Sequence, residues 1–400
     1  MQTQKARKLL MIPGPIEFEP AVLAALAEPT PSHVAPDFIE VFGRALDNLR
    51  TVFQAPDGQP FVMAGSGTLA MEAAVANLLE PGDRVLQINT GYFSDRMAAI
   101  CERSGALVTH VPAPAVGDAP GLAEVERALQ QDRFTLMTIT HVDTSTGVLT
   151  DVAGLAKLAR AAGVLSVVDG VCSVAGEALP MADWDVDVAL TASQKALGVP
   201  PGLALVMARP RALEAFCRRT RPVASYYADW SNWLPIMEAY QARKPAYFGT
   251  PAVNLVLALD VSLAQIIAEG MEARVARHAR LSEAIKAALT ALGLSQVPLR
   301  PAVAAHTLSA PYFPDGVDGA ALLGKINAAG VILAGGLHPA LRTRYFRIGH
   351  MGAVNAADVL ATVGAIEQGL HGVGYRFDAG SGLAASQRVM QGEAGHPPSA

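Results

Sequence analysis

Cysteine is scarce in this chain of 400 residues: Cys101, Cys172 and Cys217 are odd in number and far apart, with no CxxC pair. That spacing argues against a disulfide scaffold, a thiolate zinc site or a dithiol centre, and the expectation is a reducing compartment with no metal. A block of one charge sign is missing as well. The 31 basic and 36 acidic residues are scattered and leave a net charge of −5, so no basic stripe exists to follow a phosphate backbone, and nucleic acid is not an expected partner. No apolar run is long enough to span a membrane, and the opening MQTQKARKLLMIPGP meets proline and glycine before the apolar core of a leader peptide can form. The final HPPSA is not a peroxisomal tripeptide of the Ser-Lys-Leu kind. The sequence therefore predicts a cytoplasmic protein with no membrane partner.

What the chain does have is apolar bulk. Its 51% hydrophobic content is ample for a large core, and its length allows two or three domains. Short β-rich runs alternate with helical ones, the pattern of a parallel sheet with helical crossovers. The strand candidates are RVLQINT from Arg84, ALVTHVPA from Ala106, TLMTITHV from Thr135, VLSVVDGV from Val164, VDVALTA from Val186 and LALVMA from Leu203. Helices such as LAEVERALQQ from Leu122 and VAGLAKLARAAG from Val152 lie between them. The expected organisation is an arm over 1–20, a large α/β domain over 21–265, a small C-terminal α+β domain over 266–376, and a weakly ordered tail over 377–400, where Gly, Ser, Ala and Pro dominate.

Three segments carry chemistry. In MAGSGTLAMEAAVANLL, residues 63–79, a strand gives way through a Gly-Ser-Gly turn to a helix, so free N–H groups and the hydroxyls of Ser66 and Thr68 converge on a point suited to a phosphate. A plain N-cap at Ser66 explains the same residues equally well. It is not a Walker loop, since no Lys-Ser/Thr follows, and the third glycine of the dinucleotide fingerprint is absent. In VVDGVCSVAG an apolar strand delivers Asp169 to the carboxyl edge, where sites in open α/β sheets lie; alone, such an aspartate is more often a turn or cap residue. In TASQKALGVPPGLALV, Lys195 is the only ionisable side chain. Apolar flanks disfavour its ammonium and make the nucleophilic amine accessible. A Schiff-base lysine, an anion site and a carboxylate for a pyridine nitrogen together point to pyridoxal phosphate.

Further motifs make a resemblance specific: PGP at 13–15, SGTLAMEAAVANLLEPGD at 66–83, THVDTSTGVL at 140–149, SQKALGVPPG at 193–202, YFGTP at 247–251 and FRIGHMG at 346–352. Over residues 11 to about 370 the chain resembles the class V aminotransferases, fold-type I pyridoxal-phosphate enzymes, and among them the alanine–glyoxylate and serine–pyruvate group. The resemblance implies a large domain with a mostly parallel seven-stranded sheet between helices. It implies that Lys195 bonds the cofactor and moves a proton, that Asp169 pairs with the ring nitrogen, and that Ser66, Gly67 and Thr68, with Gln194, hold the phosphate. Thr144 falls near the ring hydroxyl, and Phe93 stacks on the ring, with Tyr92 beside it as the other candidate. Tyr247 and Thr250 match phosphate contacts that relatives supply from a neighbouring subunit, implying a homodimer with shared sites.

Arg347 in YFRIGHMG is the expected two-pronged partner of a substrate carboxylate, with an interior salt bridge as the other reading, and Gly14 and Pro15 fall in the segment that closes over substrate. The implied activity is ping-pong transfer of an amino group from alanine, or serine, to glyoxylate, or pyruvate. Serine–glyoxylate or pyridoxamine–pyruvate exchange is the alternative. A desulfurase-like lyase would need a cysteine near residues 330–350, and every cysteine precedes residue 218.

Overall fold

The computed structural model describes residues 8–392. Its centre is a seven-stranded sheet: β1 (Gln59–Ala64), β2 (Arg84–Asn89), β3 (Leu107–Pro112), β4 (Leu136–Thr140), β5 (Leu165–Asp169), β6 (Val188–Ala192) and β7 (Leu203–Ala208). The strands lie side by side in the order β1-β7-β6-β5-β4-β2-β3, and β7 alone runs against the rest. Strands β4 and β5 read LMTIT and LSVVD with every residue buried, as expected of strands covered on both faces. The connection from β2 leads outward to β3, whereas that from β4 leads the other way to β5. Between them lies the switch point at whose carboxyl edge α/β proteins place ligands.

The helices that position the site are α1 (Pro36–Val52), α2 (Gly67–Leu78), α3 (Tyr92–Arg103), α4 (Val253–Glu269), α5 (Met271–Ala291), α6 (Ala356–Gly372) and α7 (Ser381–Gln391). Helix α1 is tied to α4 by a bidentate Arg44–Asp260 pair at 2.9 and 2.6 Å. Helices α4 and α5 meet at Gly270, φ 83°, in an 86° bend that glycine tolerates without strain. Among the described residues no single helix is long and apolar enough to cross a membrane.

Beyond the bend a second core forms around Leu281, Ile285, Leu289, Leu322, Ile326, Phe346, Ile348 and Ile366. It includes a small antiparallel sheet of β8 (Leu308–Ser309), β9 (Ala334–Gly335) and β10 (Phe346–Gly349), with β10 in the middle. The N-terminal segment joins this unit: Leu9 and Leu10 pair in parallel with Val331 and Ile332, and Gly349 N donates to Met11 O at 2.8 Å.

The tail expected to be weakly ordered from 377 is instead helical over Ser381–Gln391, up to the end of the described residues. Glu367 on α6 accepts from Gly380 N at 2.9 Å and Leu383 N at 3.1 Å, capping α7, while Ser386 Oγ donates to Ala284 O on α5 at 2.8 Å. Leu383, Val389 and Met390 pack on the second core. Glycine and serine composition concealed a helix whose cap lies on another element.

Candidate active site

At the carboxyl edge, β1 runs through Gly65 and Ser66 into α2. Ser66 holds extended backbone angles, φ −117° and ψ 175°, yet its hydroxyl makes no capping bond to the helix, so the plain N-cap explanation fails. Ser66 is exposed, and the first-turn N–H groups of α2 have no partner within the helix. Gly67 is there for closeness: a Cβ would come within 2.8 Å of Val171 Cγ2, just past Asp169. Thr68 Oγ1 accepts from Arg96 Nη1 at 3.1 Å.

The loops after β2 and β4 interlock. Buried Asp143 accepts from Phe93 N at 3.2 Å and Ser94 N at 3.4 Å through one oxygen, and from Ser145 N at 2.9 Å and Ser145 Oγ at 2.5 Å through the other. Ser145 Oγ in turn accepts from Tyr92 N at 3.1 Å. A carboxylate at a helix N-terminus is favoured by the unpaired N–H groups and the helix dipole. These two residues therefore fix the start of α3 and with it the rings of Tyr92 and Phe93, which meet edge-on at 5.4 Å. The Arg96 guanidinium lies 4.8 Å from the Phe93 ring centre and 5.2 Å from that of Tyr92.

Asp169 ends β5 and is buried, with Oδ1 accepting from Val171 N at 3.0 Å. Burial, with the like charge of Asp143, pushes its carboxyl up to about 7. Lys195 follows β6 and is 8% exposed. Burial lowers its pKa, as does the Arg347 charge, against the opposing pull of Cys172 and Asp169. Its Nζ donates to Pro13 O, and Gly14 sits so close that a Cβ would fall 2.5–2.6 Å from Lys195 Cδ, Cε and Nζ. Arg274 holds the backbone beside the lysine, donating to Ala196 O at 2.7 Å and Ala175 O at 2.8 Å while pairing with Glu269 at 2.7 Å. The buried oxygen of Gln194 has no hydrogen-bond partner among the described residues.

From the second unit, β10 presents Arg347. Its Nε donates to Gly335 O at 2.9 Å and its Nη1 to Thr144 O at 3.1 Å, so among the described residues it is anchored on carbonyls rather than in a salt bridge, and Nη2 is left for another acceptor. Next to it, the buried Tyr345 hydroxyl accepts from Leu337 N and His338 N, both at 2.8 Å, and donates to Ser145 O, bolting the 335–345 loop to the switch point. Arg344 lies over the Tyr312 ring at 5.8 Å.

Gly14 thus touches Lys195, Thr68 is joined to Phe93 through Arg96, Gly67 approaches Val171 beside Asp169, Thr144 holds Arg347, and Lys195 lies within electrostatic reach of Asp169 and Arg347. Pro15 is exposed beside Gly14. Tyr247, 65% exposed, packs instead on the His33 ring at 5.3 Å, and Thr250 is exposed too; neither is hydrogen-bonded to Lys195 or Asp169 among the described residues. Asp143, Ser145, Arg96 and Tyr345 were not anticipated from sequence. Asp143 and Ser145 stand inside the quoted THVDTSTGVL, and Arg96 lies one turn after Phe93, which is the only signal they offered.

The family model for class-V aminotransferases matches residues 23–357. The chain belongs to the class-V aminotransferases. It is similar to alanine–glyoxylate aminotransferase 1 of Saccharomyces cerevisiae, 39% identical with 87% of this chain and 93% of that protein covered. It is also similar to the L-aspartate–glyoxylate aminotransferase of Paracoccus denitrificans, 33% identical over 94% of this chain and 95% of that protein. The crystal structure of pyridoxamine–pyruvate aminotransferase from Mesorhizobium loti superposes with a TM-score of 0.90 at 27% identity, covering 98% of this chain and 99% of that one.

The cofactor of this transaminase family is pyridoxal phosphate, and the residues present fit it. The uncapped helix start at Ser66 suits a phosphate, the raised carboxyl of Asp169 needs a cationic N–H to return it to its ordinary range, and the lysine amine is held with a lowered pKa.

Proposed function

We propose that this aminotransferase moves an amino group from a small amino acid, alanine before serine, to a small 2-oxo acid, glyoxylate before pyruvate, in two half-reactions on one site. The observation that carries the reading is the packing of Pro13 and Gly14 directly on the Lys195 amine, which narrows the space around that amine. The 39% identity to an alanine–glyoxylate enzyme supports the same choice.

Pyridoxal phosphate, when bound, supplies the carbonyl that captures an amine and the ring that takes up the electron pair from the substrate Cα. Lys195 would be the group that bonds it and, once released, would move the proton between the substrate Cα and the cofactor's C4′, in opposite directions in the two half-reactions; its lowered pKa favours the neutral amine this needs. Asp169 would hold a proton on the ring nitrogen. The free edge of Arg347 would grip the substrate carboxylate and so fix which Cα bond points at Lys195. The Pro13 carbonyl and Gly14 keep bulk water from the amine. Ser66, Gly67, Thr68 and Gln194 would hold the phosphate, with Thr144 near the ring hydroxyl and Phe93 or Tyr92 on the ring face.

A homodimer completes the site in this reading. Tyr226 and Tyr247 are 78% and 65% exposed, and Tyr226 packs on Phe248 at 5.5 Å, an aromatic patch of the kind that interfaces bury. It borders the phosphate turn, because Tyr227 OH donates to Ala64 O at 3.2 Å. Tyr247 and Thr250 would then serve the partner's cradle.

The test is a half-reaction screen: the yellow holoenzyme is mixed with alanine, serine, glycine, aspartate and glutamate, and loss of visible absorption is followed. Alanine or serine reacting fastest is the expected result. Aspartate or glutamate reacting fastest would sink the small-substrate assignment, and a colourless protein unable to take up the cofactor would sink the reading entirely.

A further inference from the structure

Arg96 takes no part in the steps above, yet it stands at the mouth of the site. The partners of its guanidinium are the Thr68 hydroxyl at 3.1 Å, the Tyr92 hydroxyl at 3.5 Å and the faces of Phe93 and Tyr92. Among the described residues it has no carboxylate within ion-pair distance. It lies instead beside the N-terminus of α2, itself the positive end of a helix dipole. Arg96 also lines a hollow of about 600 Å³ with Thr68, Arg103, Arg219 and Arg221, against which Glu72 is the one acidic group. A half-buried cation among like charges is an arrangement that an anion would relieve.

We propose that Arg96 is a positioning residue for the cofactor phosphate and makes the site select the phosphorylated cofactor over its unphosphorylated form. Two features of the geometry do this. A hydroxyl that accepts from a guanidinium has its own hydrogen turned away from that donor, so the Thr68 O–H is left to donate to an anion seated at the helix start. The guanidinium adds positive charge directly behind that hydroxyl, where a dianion gains from it and a neutral hydroxymethyl group does not. The Phe93 and Tyr92 rings, both within cation–π distance, hold the guanidinium flat and in place, and Arg96 rides on the same helix turn as Phe93. The inference rests on the reading of the Ser66 helix start as the phosphate cradle.

Its test uses the full-length holoenzyme loaded with pyridoxal phosphate or with pyridoxal, comparing wild type, Arg96→Gln, Arg96→Lys and Thr68→Val by equilibrium dialysis. Arg96→Gln should weaken pyridoxal phosphate by about tenfold or more while leaving pyridoxal within about twofold. Arg96→Lys, which keeps the charge, should fall between, and Thr68→Val combined with Arg96→Gln should cost less than the sum of the two. Equal weakening of both cofactors by Arg96→Gln, or full additivity with Thr68→Val, overturns the proposal. Ser66→Ala separates the two ideas. If it weakens pyridoxal phosphate selectively and Arg96→Gln does not, Arg96 alone is misassigned; if it shows no selectivity, the cradle itself is misplaced.

Discussion

Asp169 shows what a single residue contributes before any ligand arrives. An ordinary aspartate has a pKa of about 3.9, and burial beside Asp143 holds this one at about 7. The folded chain therefore binds this proton more tightly than the unfolded chain does. Its contribution to stability is undiminished below about pH 4, declines as pH rises through the interval to about 7, and is flat above it. At about 1.4 kcal/mol for each pKa unit the loss amounts to a few kcal/mol in the cofactor-free protein. Thermal melts of cofactor-free wild type should thus fall across that interval more steeply than those of Asp169→Asn; parallel curves would show that the carboxyl is not held protonated. The positions of Lys195 and Asp169 were legible in the sequence because each follows an unmistakable apolar strand. Arg96 and Asp143 were not, because what they do depends on partners 28 and 50 residues away in the chain.

At the scale of elements, the seven strands of the large sheet were readable from their β-branched and apolar runs, while the small sheet was not. Strands β8 and β9 are two residues long, too short for any periodicity. Helix α7 escaped notice for a related reason, since Glu367 on α6 supplies its cap and α5 its packing surface. The loop at 335–345 depends on one hydroxyl. Tyr345→Phe would leave two N–H groups and the Ser145 carbonyl without that partner, a cost of about 2–4 kcal/mol in urea unfolding. Because Gly335 O, the acceptor of Arg347 Nε, lies in the same loop, the half-saturation concentration for amino donors should rise as well, with cofactor affinity little changed. Unfolding free energies within about 0.5 kcal/mol of wild type would deny the loop this anchor.

The whole molecule brings its site together from two cores, and in the proposed dimer from two chains. Mixing Lys195→Ala chains with Tyr247→Ala/Thr250→Ala chains tests the second part. Each hybrid dimer would contain one site with an intact Lys195 from one chain and intact Tyr247 and Thr250 from the other, so mixed and exchanged subunits should regain activity that neither parent shows. Failure to regain it, with hybrids present by sedimentation, would place Tyr247 and Thr250 outside the neighbouring site. The pairing of Leu9 with Val331 and the meeting of the Pro13 carbonyl with Lys195 also impose an order in time. During synthesis the large sheet can collapse as soon as β7 has left the ribosome, but the strand that receives Leu9 emerges more than a hundred residues later. The reactive amine therefore stays uncovered after its own strand has folded, until the segment carrying Pro13 and Gly14 finds a partner more than three hundred residues further along the chain.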